Sequence, residues 1–266
     1  MKQFCSNPRL YTNENHEIYL EQSPEFQPGP DDCVVRVRSN DICRISVLYA
    51  RGLTGASGCG ASCIRAKPRA SDQTTVICGA GPIGLIAAAV ARASGAYPII
   101  VADVDSNRLE FAKVFAPHCE TFLTSPRAES QGITSQVIET IKSHSGEQLR
   151  VVFECTGVQS SVITAAYLPR ARGEVMAVGV GRPTMDLLPF MHMSLAEIDL
   201  TCINRYHHTG PKATKLLSRG YKDLKKLGTR RFSREIAVDA LTSSADRRSG
   251  AIKIYIGDWV EEEQLE

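Results

Sequence analysis

The chain has 266 residues, 43% hydrophobic and 23% charged, which is ordinary for a folded globular protein. Its formal net charge of +2 argues against nucleic acid as a partner, because nucleic-acid-binding surfaces are strongly basic. No apolar run approaches membrane-spanning length, and the first twenty residues lack an apolar signal core. We therefore expect a cytoplasmic protein of one large or two small domains, without nucleic-acid or membrane partners.

The first elements predicted along the chain are β-strands. EIYLEQ (17–22) is a weak strand candidate. DCVVRVRSN (32–40) alternates apolar and polar residues, as a half-buried strand does. Residues 51–73 are rich in Gly, Ser, Ala, Arg and Pro without a clear period, which is typical of a loop or linker. We therefore expect a small β-rich region before a linker.

From Thr74 onward, predicted strands alternate with predicted helices. The strands are TTVIC (74–78), PIIVA (98–102), LRVVFE (149–154), GEVMAVGV (173–180) and EIDLTCI (197–203). The helices are 82–94, 106–116 with Ser106 as N-cap, 133–145 and 159–168. Strands and helices that alternate at this spacing predict an α/β fold with a doubly wound parallel sheet and helices on both of its faces.

A glycine-rich turn follows the first of these strands. CGAGPIGL (78–85) places Gly79, Gly81 and Gly84 in the G-x-G-x-x-G spacing, between a strand and a helix, as the dinucleotide-binding motif requires. Gly79 permits the tight turn, Gly81 lets the backbone approach a pyrophosphate, and Gly84 lets the helix pack close to the sheet. The alternative interpretation is a tight turn without a ligand.

Residues around this turn extend the predicted cofactor site. Pro82 suits the first helical position, where its missing N–H costs little, and Ile83 follows it. Asp103 ends the next strand, where its carboxylate can accept hydrogen bonds from ribose hydroxyls and repel a 2′-phosphate. NAD is therefore favoured over NADP, although Arg108 could soften that preference.

Nine cysteines are scattered along the chain, and an odd number does not suggest a complete disulfide framework. Cys78, Cys155 and Cys202 lie in apolar runs, so we expect them to be small buried hydrophobic residues. Cys59 and Cys63 form a C-x-x-x-C pair. This pair could in principle bind a metal, but without histidine or carboxylate support the spacing is weak evidence.

Several stretches resemble the medium-chain, zinc-dependent polyol dehydrogenases, the group that includes L-arabinitol, sorbitol and xylitol dehydrogenases. They are VICGAGPIGLIAAAVARASGAYPIIVADVDSNRLEFAK, FECTGVQSS, GEVMAVGVG, RYHHTGPKA and GAIKI, with weaker similarity over residues 8–52. The resemblance implies a truncated β-rich remnant of a GroES-like catalytic domain at 1–52, a linker at 53–73, an NAD-binding Rossmann domain at 74–205, and C-terminal helices with a return strand at 206–266.

The resemblance also implies roles for residues outside the glycine turn. Residues implied to lie beside the cofactor are Cys155, Thr156, Gly157, Val178, Gly179, Val180 and Arg205, with the turn at 178–181 facing the nicotinamide. Tyr206 completes an Arg-Tyr pair near cofactor and substrate. The implied substrate is a small alcohol or polyol. The implied partner is a second copy of the chain, through an edge at residues 187–203 of the Rossmann domain.

The zinc site implied by the resemblance is largely missing from this sequence. Cys43 matches a zinc-ligating cysteine of the family, but Arg44, Ile45 and Ser46 replace the residues that follow it there. No histidine occurs between His16 and His118, so the family's His-Glu pair is absent. Zinc catalysis needs three protein ligands in fixed geometry. Cys43 is therefore interpreted as a vestigial ligand.

Without zinc, another group must handle the alcohol proton. Tyr49 and Tyr206 are the catalytic candidates, with Ser46, His207 or His208 as relays. The plainer alternatives are that Tyr49 is a core or surface aromatic residue and that His207 and His208 are exposed loop residues. Three hypotheses stay open: an NAD-dependent oxidoreductase, a catalytically inactive NAD-binding pseudoenzyme, and a truncated gene product. In each case we expect uncovered apolar surface near residues 32–52.

Overall fold

In the computed structural model, the described residues are 8–15, 17–23, 28–33, 35, 37–43, 74–125, 135–140, 143, 149–203, 209–218, 222–246 and 249–258. They form two compact units. One is built from the described parts of 1–56 and 227–266, and the other from the described parts of 57–226. The domain boundaries given by the sequence interpretation stay predictions.

A six-stranded parallel sheet forms the larger unit. Its strands are β4 (Thr75–Cys78), β5 (Ile99–Asp103), β6 (Glu120–Leu123), β7 (Val151–Glu154), β8 (Glu174–Ala177) and β9 (Asp199–Cys202). Their order is β6-β5-β4-β7-β8-β9, and every neighbouring pair is parallel. All four residues of β4 are buried, which is typical of a parallel strand covered on both faces.

Helices cover both faces of this sheet. Those of the larger unit are α1 (Pro82–Ala93), α2 (Ser106–Phe115), α3 (Gln159–Tyr167), α4 (Phe190–Leu195) and α5 (Gly210–Ser218), and residues 135–140 are also helical. Val76 packs in one cluster with Ala165 of α3. Ile77 points to the opposite face, because side chains alternate along a strand, and there it lies against Gly84 of α1. The predicted doubly wound Rossmann fold is confirmed. Among the described residues no helix is both long and apolar enough to cross a membrane.

Most predicted elements of this unit are present, with shorter ends. GEVMAVGV stops as a strand at Ala177, because the N–H groups of Val178 and Gly179 turn to donate to the Glu154 carbonyl, at 2.8 Å each. The prediction of Ser106 as the N-cap was wrong. Asp105 occupies that position, and its carboxylate accepts from Asn107 N at 2.9 Å. Sequence reasoning missed β6 and α4.

The smaller unit combines the two ends of the chain. Its strands are β1 (Pro8–Thr12), β2 (Ile18–Gln22), β3 (Ser39–Asp41), β10 (Gly228–Ser233) and β11 (Lys253–Gly257), with a 3₁₀ turn at Arg234–Ile236 and helix α6 at Ala237–Ala245. A 3₁₀ turn at Lys222–Leu227 ends where this unit resumes and leads into β10. Strands β1 and β2 form an antiparallel pair, and β11 lies between β10 and β3. A core of Ile42, Ala240, Leu241 and Ile254 joins these segments, although Ile42 and Ile254 lie more than 200 positions apart in the sequence.

The half-buried strand predicted at 32–40 was wrong over most of its length. Among its described residues only those from 39 onward form a strand, β3, which ends at residue 41. One further hydrogen bond, from Asp258 N to Arg38 O, continues the pairing with the C-terminal segment. Val35 and Val37 are 73% and 61% exposed. An alternating pattern becomes a strand only where a partner is available. These two valines are exposed, but the expected uncovered apolar surface near residues 32–52 stays a prediction, because residues 34, 36 and 44–52 lie outside the described part.

Candidate functional site

The glycine turn between β4 and α1 has the geometry that its sequence predicts. Gly79 has φ of 107°, a conformation that side chains other than glycine rarely adopt. Gly84 packs so closely that an added Cβ would lie 1.8 Å from the Gly79 carbonyl oxygen. The predicted roles of these two glycines, a tight turn and close helix packing, are therefore visible in contacts within the chain.

Gly81 differs, because no contact with a described residue requires it to be glycine. Its backbone is extended, with φ of −78° and ψ of −179°, which any residue can adopt. A Cβ added there would meet only the Arg108 guanidinium, with Nη1 at 3.9 Å. Gly81 is also the N-cap of α1, where no side chain caps the helix, and Pro82 begins the helix. The turn thus leaves an open cradle beside a helix N-terminus, which fits a pyrophosphate.

Asp103 and Arg108 lie next to this cradle. The Asp103 carboxylate accepts from Ala80 N at 2.7 Å and from Asp105 N at 3.0 Å. A carboxylate has about four acceptor positions, so two stay available for hydroxyl donors. Arg108 Nε lies 3.7 Å from Asp105, which places a cation beside the glycine turn. Both residues therefore lie where the sequence places them, at the cradle.

Two further turns lie at the carboxyl ends of β7 and β8. Cys155 N donates to the Cys78 carbonyl at 2.9 Å, and a Cβ on Gly79 would lie 2.9 Å from Thr156 Cγ2. A Cβ on Gly179 would lie 2.0 Å from Gly157 N. The residues predicted at these turns are therefore brought together with the glycine turn. They are Cys155, Thr156, Gly157, Val178, Gly179 and Val180.

Sequence reasoning missed Glu154, the last residue of β7. Its side chain is completely buried and accepts hydrogen bonds from Thr156 N, Thr156 Oγ1, Gly157 N and Ser161 Oγ. The available signal was a carboxylate at the end of an apolar strand, with hydroxyl residues at positions +2 and +7. This carboxylate and burial together raise the pKa of the Cys78 thiol well above its usual range, with burial the larger cause.

The described cysteines match the prediction only in part. Cys78 is buried as predicted and Cys155 is half-buried. Cys202 is exposed, so its predicted burial was wrong. The reason is its position in β9, the last strand of the sheet among the described residues, where one side of the strand has no covering neighbour.

The catalytic and metal candidates are only partly described. Tyr49, Tyr206 and Arg205 lie outside the described residues, as do Cys59, Cys63 and the relays Ser46, His207 and His208, so their roles stay predictions. Cys43 is half-buried after β3. The described part of the chain contains no group of three or more His, Cys, Asp or Glu side chains that could hold a metal ion. The described residues therefore do not fit a catalytic zinc site, which requires three ligands.

The parallel sheet, its glycine turn and the carboxylate at the end of β5 define a Rossmann-type dinucleotide-binding architecture. The family model of zinc-binding dehydrogenases matches residues 82–219. This range covers more than half of the chain, and the chain belongs to this family.

Within this family, the chain is similar in sequence to polyol dehydrogenases. It is 39% identical to L-arabinitol 4-dehydrogenase of Talaromyces emersonii over 197 residues, which cover 72% of this chain and 50% of that protein. It is 32% identical to sorbitol dehydrogenase of Rattus norvegicus over 261 residues, which cover 96% of this chain and 69% of that protein. The chain thus spans about half the length of the arabinitol dehydrogenases that it matches. The resemblance to polyol dehydrogenases is confirmed.

A solved structure from Sinorhizobium meliloti 1021, described as a zinc-binding dehydrogenase bound to NADP, shares the fold. The TM-score is 0.74 at 16% identity, and the similarity covers 94% of this chain and 99% of that one. At this identity the likeness shows the fold alone, and it supports the Rossmann assignment of the larger unit.

Proposed function

We propose that this chain binds NAD and transfers hydride between the nicotinamide and a small alcohol or polyol. The observation that carries the proposal is the open cradle at Gly81, a glycine that no contact with the described residues explains. Its neighbours supply a helix N-terminus for phosphate and a carboxylate with acceptor capacity for ribose hydroxyls. Similarity to arabinitol and sorbitol dehydrogenases supports a polyol as the substrate class.

The chain's own residues hold the cofactor in this proposal. The N-terminus of α1, which begins directly after Gly81, binds the pyrophosphate, and Asp103 binds the adenine ribose. When bound, NAD supplies the acceptor for a hydride from the alcohol carbon. The described residues do not fit zinc, so no step is assigned to a metal. Tyr49 and Tyr206 stay the proposed proton-transfer groups.

Cofactor preference tests the binding half of the proposal. Asp103 should repel a 2′-phosphate, and Arg108 lies near enough to attract one. We expect calorimetry on the full chain to give NAD a Kd about tenfold or more below that of NADP, as a carboxylate at this position favours NAD. Asp103→Asn should bring the Kd values for NAD and NADP closer together, because the charge that repels the 2′-phosphate is lost. The amide oxygen can still accept from Ala80 N, so the turn is kept. Absence of NAD binding at millimolar concentration would contradict the proposal.

A second candidate function is a cofactor-binding pseudoenzyme. It is favoured by the lack of a metal-ligand group among the described residues. NAD reduction with a panel of polyols and simple alcohols, with and without added zinc, separates the two candidates. Turnover supports the oxidoreductase, whereas tight NAD binding without turnover supports the pseudoenzyme.

We also propose a homodimer through the edge of the sheet at β9. The exposed apolar side chains near this edge are Leu187, Phe190, Leu195 and Leu200. An edge strand carries backbone groups that a second copy can pair with. Sedimentation velocity should show a dimer, and Leu200→Glu should shift it toward monomer while leaving NAD binding intact.

A further inference from the structure

Glu154 is a buried acid that the proposed binding site does not use directly. It ends β7, its side chain has no exposed surface, and it faces Cys78 across the β4–β7 pair. A carboxylate removed from water is costly unless donors replace its hydration. Here the donors are Thr156 Oγ1 at 2.5 Å, Ser161 Oγ at 2.8 Å, and the N–H groups of Thr156 and Gly157 at 3.0 Å.

These contacts place Glu154 between three turns at the carboxyl edge of the sheet. Its carboxylate holds the 155–157 turn through two backbone N–H groups. A Cβ on Gly179 would lie 2.7 Å from Glu154 Oε2, so the carboxylate also lies directly against the 178–181 turn. Thr156, which donates to the carboxylate, also lies beside the glycine turn, since its methyl carbon would be 2.9 Å from a Cβ added at Gly79. Glu154 thus contacts two of the turns and is one residue removed from the third.

The strand order of the sheet indicates that the two halves of a bound dinucleotide lie over the ends of different strands. From β4 the chain crosses to β5, whereas from β7 it crosses to β8 in the opposite direction. Ligands bind at such a switch point, outside the carboxyl ends of the strands. With the adenine ribose on the Asp103 side, the other nucleotide half lies over the ends of β7 and β8. These are the turns that Glu154 holds.

We propose that Glu154 is a positioning residue for the nicotinamide half of the bound dinucleotide, acting through the 155–157 and 178–181 turns. This inference rests on the proposed NAD binding. The adenosine and pyrophosphate contacts come from the glycine turn and Asp103, which have their own hydrogen bonds. Loss of the Glu154 carboxylate should therefore weaken binding of the nicotinamide half of the ligand more than binding of the adenosine half.

Glu154→Gln is the direct test, read by calorimetry with NADH and with ADP, which lacks the nicotinamide riboside. The glutamine NH₂ would face N–H and O–H donors, so at least one bond to the 155–157 turn is lost. We expect the Kd for NADH to rise about tenfold or more, as for a lost charge-assisted bond, and that for ADP to change by less than about twofold. Ser161→Ala removes one donor and keeps the carboxylate, so a smaller selective loss of about threefold is expected.

The matched control is Glu174→Gln, at the amino end of β8, where the carboxylate accepts from Thr201 Oγ1 at 3.0 Å. It should leave both Kd values unchanged. Equal losses for NADH and ADP in the Glu154 variant would mean a merely structural role and overturn the inference, as would no loss at all. If Glu154→Gln does not fold, Ser161→Ala tests the inference by the same comparison, the change in Kd for NADH against the change in Kd for ADP. If the unmodified chain binds neither ligand, the proposed function itself fails.

Discussion

The carboxyl and amino edges of the six-stranded sheet differ in how completely their polar groups are hydrogen-bonded. At the carboxyl edge, the half-buried Asp103 and the fully buried Glu154 are both well hydrogen-bonded. At the amino edge, Thr74 Oγ1 and His118 Nε2 are buried without a hydrogen-bond partner among the described residues. Buried donors and acceptors are expensive to leave unpaired. The carboxylates that would face a ligand are therefore hydrogen-bonded, whereas Thr74 and His118 at the amino edge, and Thr209 before α5, each keep an unpaired polar atom among the described residues.

Gly84→Ala should produce the largest effect at the carboxyl edge. The new Cβ would lie 1.8 Å from the Gly79 carbonyl oxygen, so strand and helix must separate. We expect the free energy of unfolding to fall by about 3 kcal/mol or more, as for overpacking against rigid backbone. Urea unfolding followed by circular dichroism measures it.

The control for that variant is Gly210→Ala in α5, where an added Cβ meets nothing within 4 Å. Its unfolding free energy should change by less than about 1 kcal/mol, because only helix propensity is altered. Equal stability for the two variants would show that the close approach of α1 to β4 is not needed.

Gly81→Ala separates ligand binding from folding at the same turn. The added methyl group finds room, with only Arg108 Nη1 at 3.9 Å, so stability should change by less than about 0.5 kcal/mol. The methyl group would occupy the cradle, so the Kd for NAD should rise roughly tenfold or more. Thermal unfolding and calorimetry on the same preparation check both. Unchanged NAD affinity would show that the cradle is not where the pyrophosphate binds.

The carboxyl edge was predictable as far as its determinants are local. Gly84 and Asp103 contact neighbours no more than 23 positions away, and Gly79 is required by the positive φ of its own turn, so the spacing of these residues indicates their roles. Glu154 could not be assigned from spacing, because its importance comes from burial and from contact with a turn on another strand. The strand predicted at 32–40 failed for the same reason. Its partner is β11, more than 200 positions away, and the pairing covers only its last residues.

The smallest expected effect is a pH dependence from the amino edge. Burial lowers the pKa of His118, and the nearby charge of Arg92 lowers it further, against a raising hydrogen bond with the Ala88 backbone. A lowered pKa in the folded state means that the unfolded chain binds the proton more readily. The stabilising contribution of neutral His118 is therefore complete above pH 6.5, the ordinary value, and is lost as pH falls below it.

His118→Gln should remove this part of the pH dependence without affecting NAD binding, because the residue precedes β6 at the edge away from the cradle. Urea unfolding of both proteins at pH 7.5 and 5.5 gives the comparison, and other titrating groups cancel between them. The unmodified chain should lose more stability on acidification than the variant. An equal loss would mean that the buried imidazole takes up its proton without penalty. A change in NAD affinity would instead mean that the two edges are coupled, and the contrast between them would no longer hold.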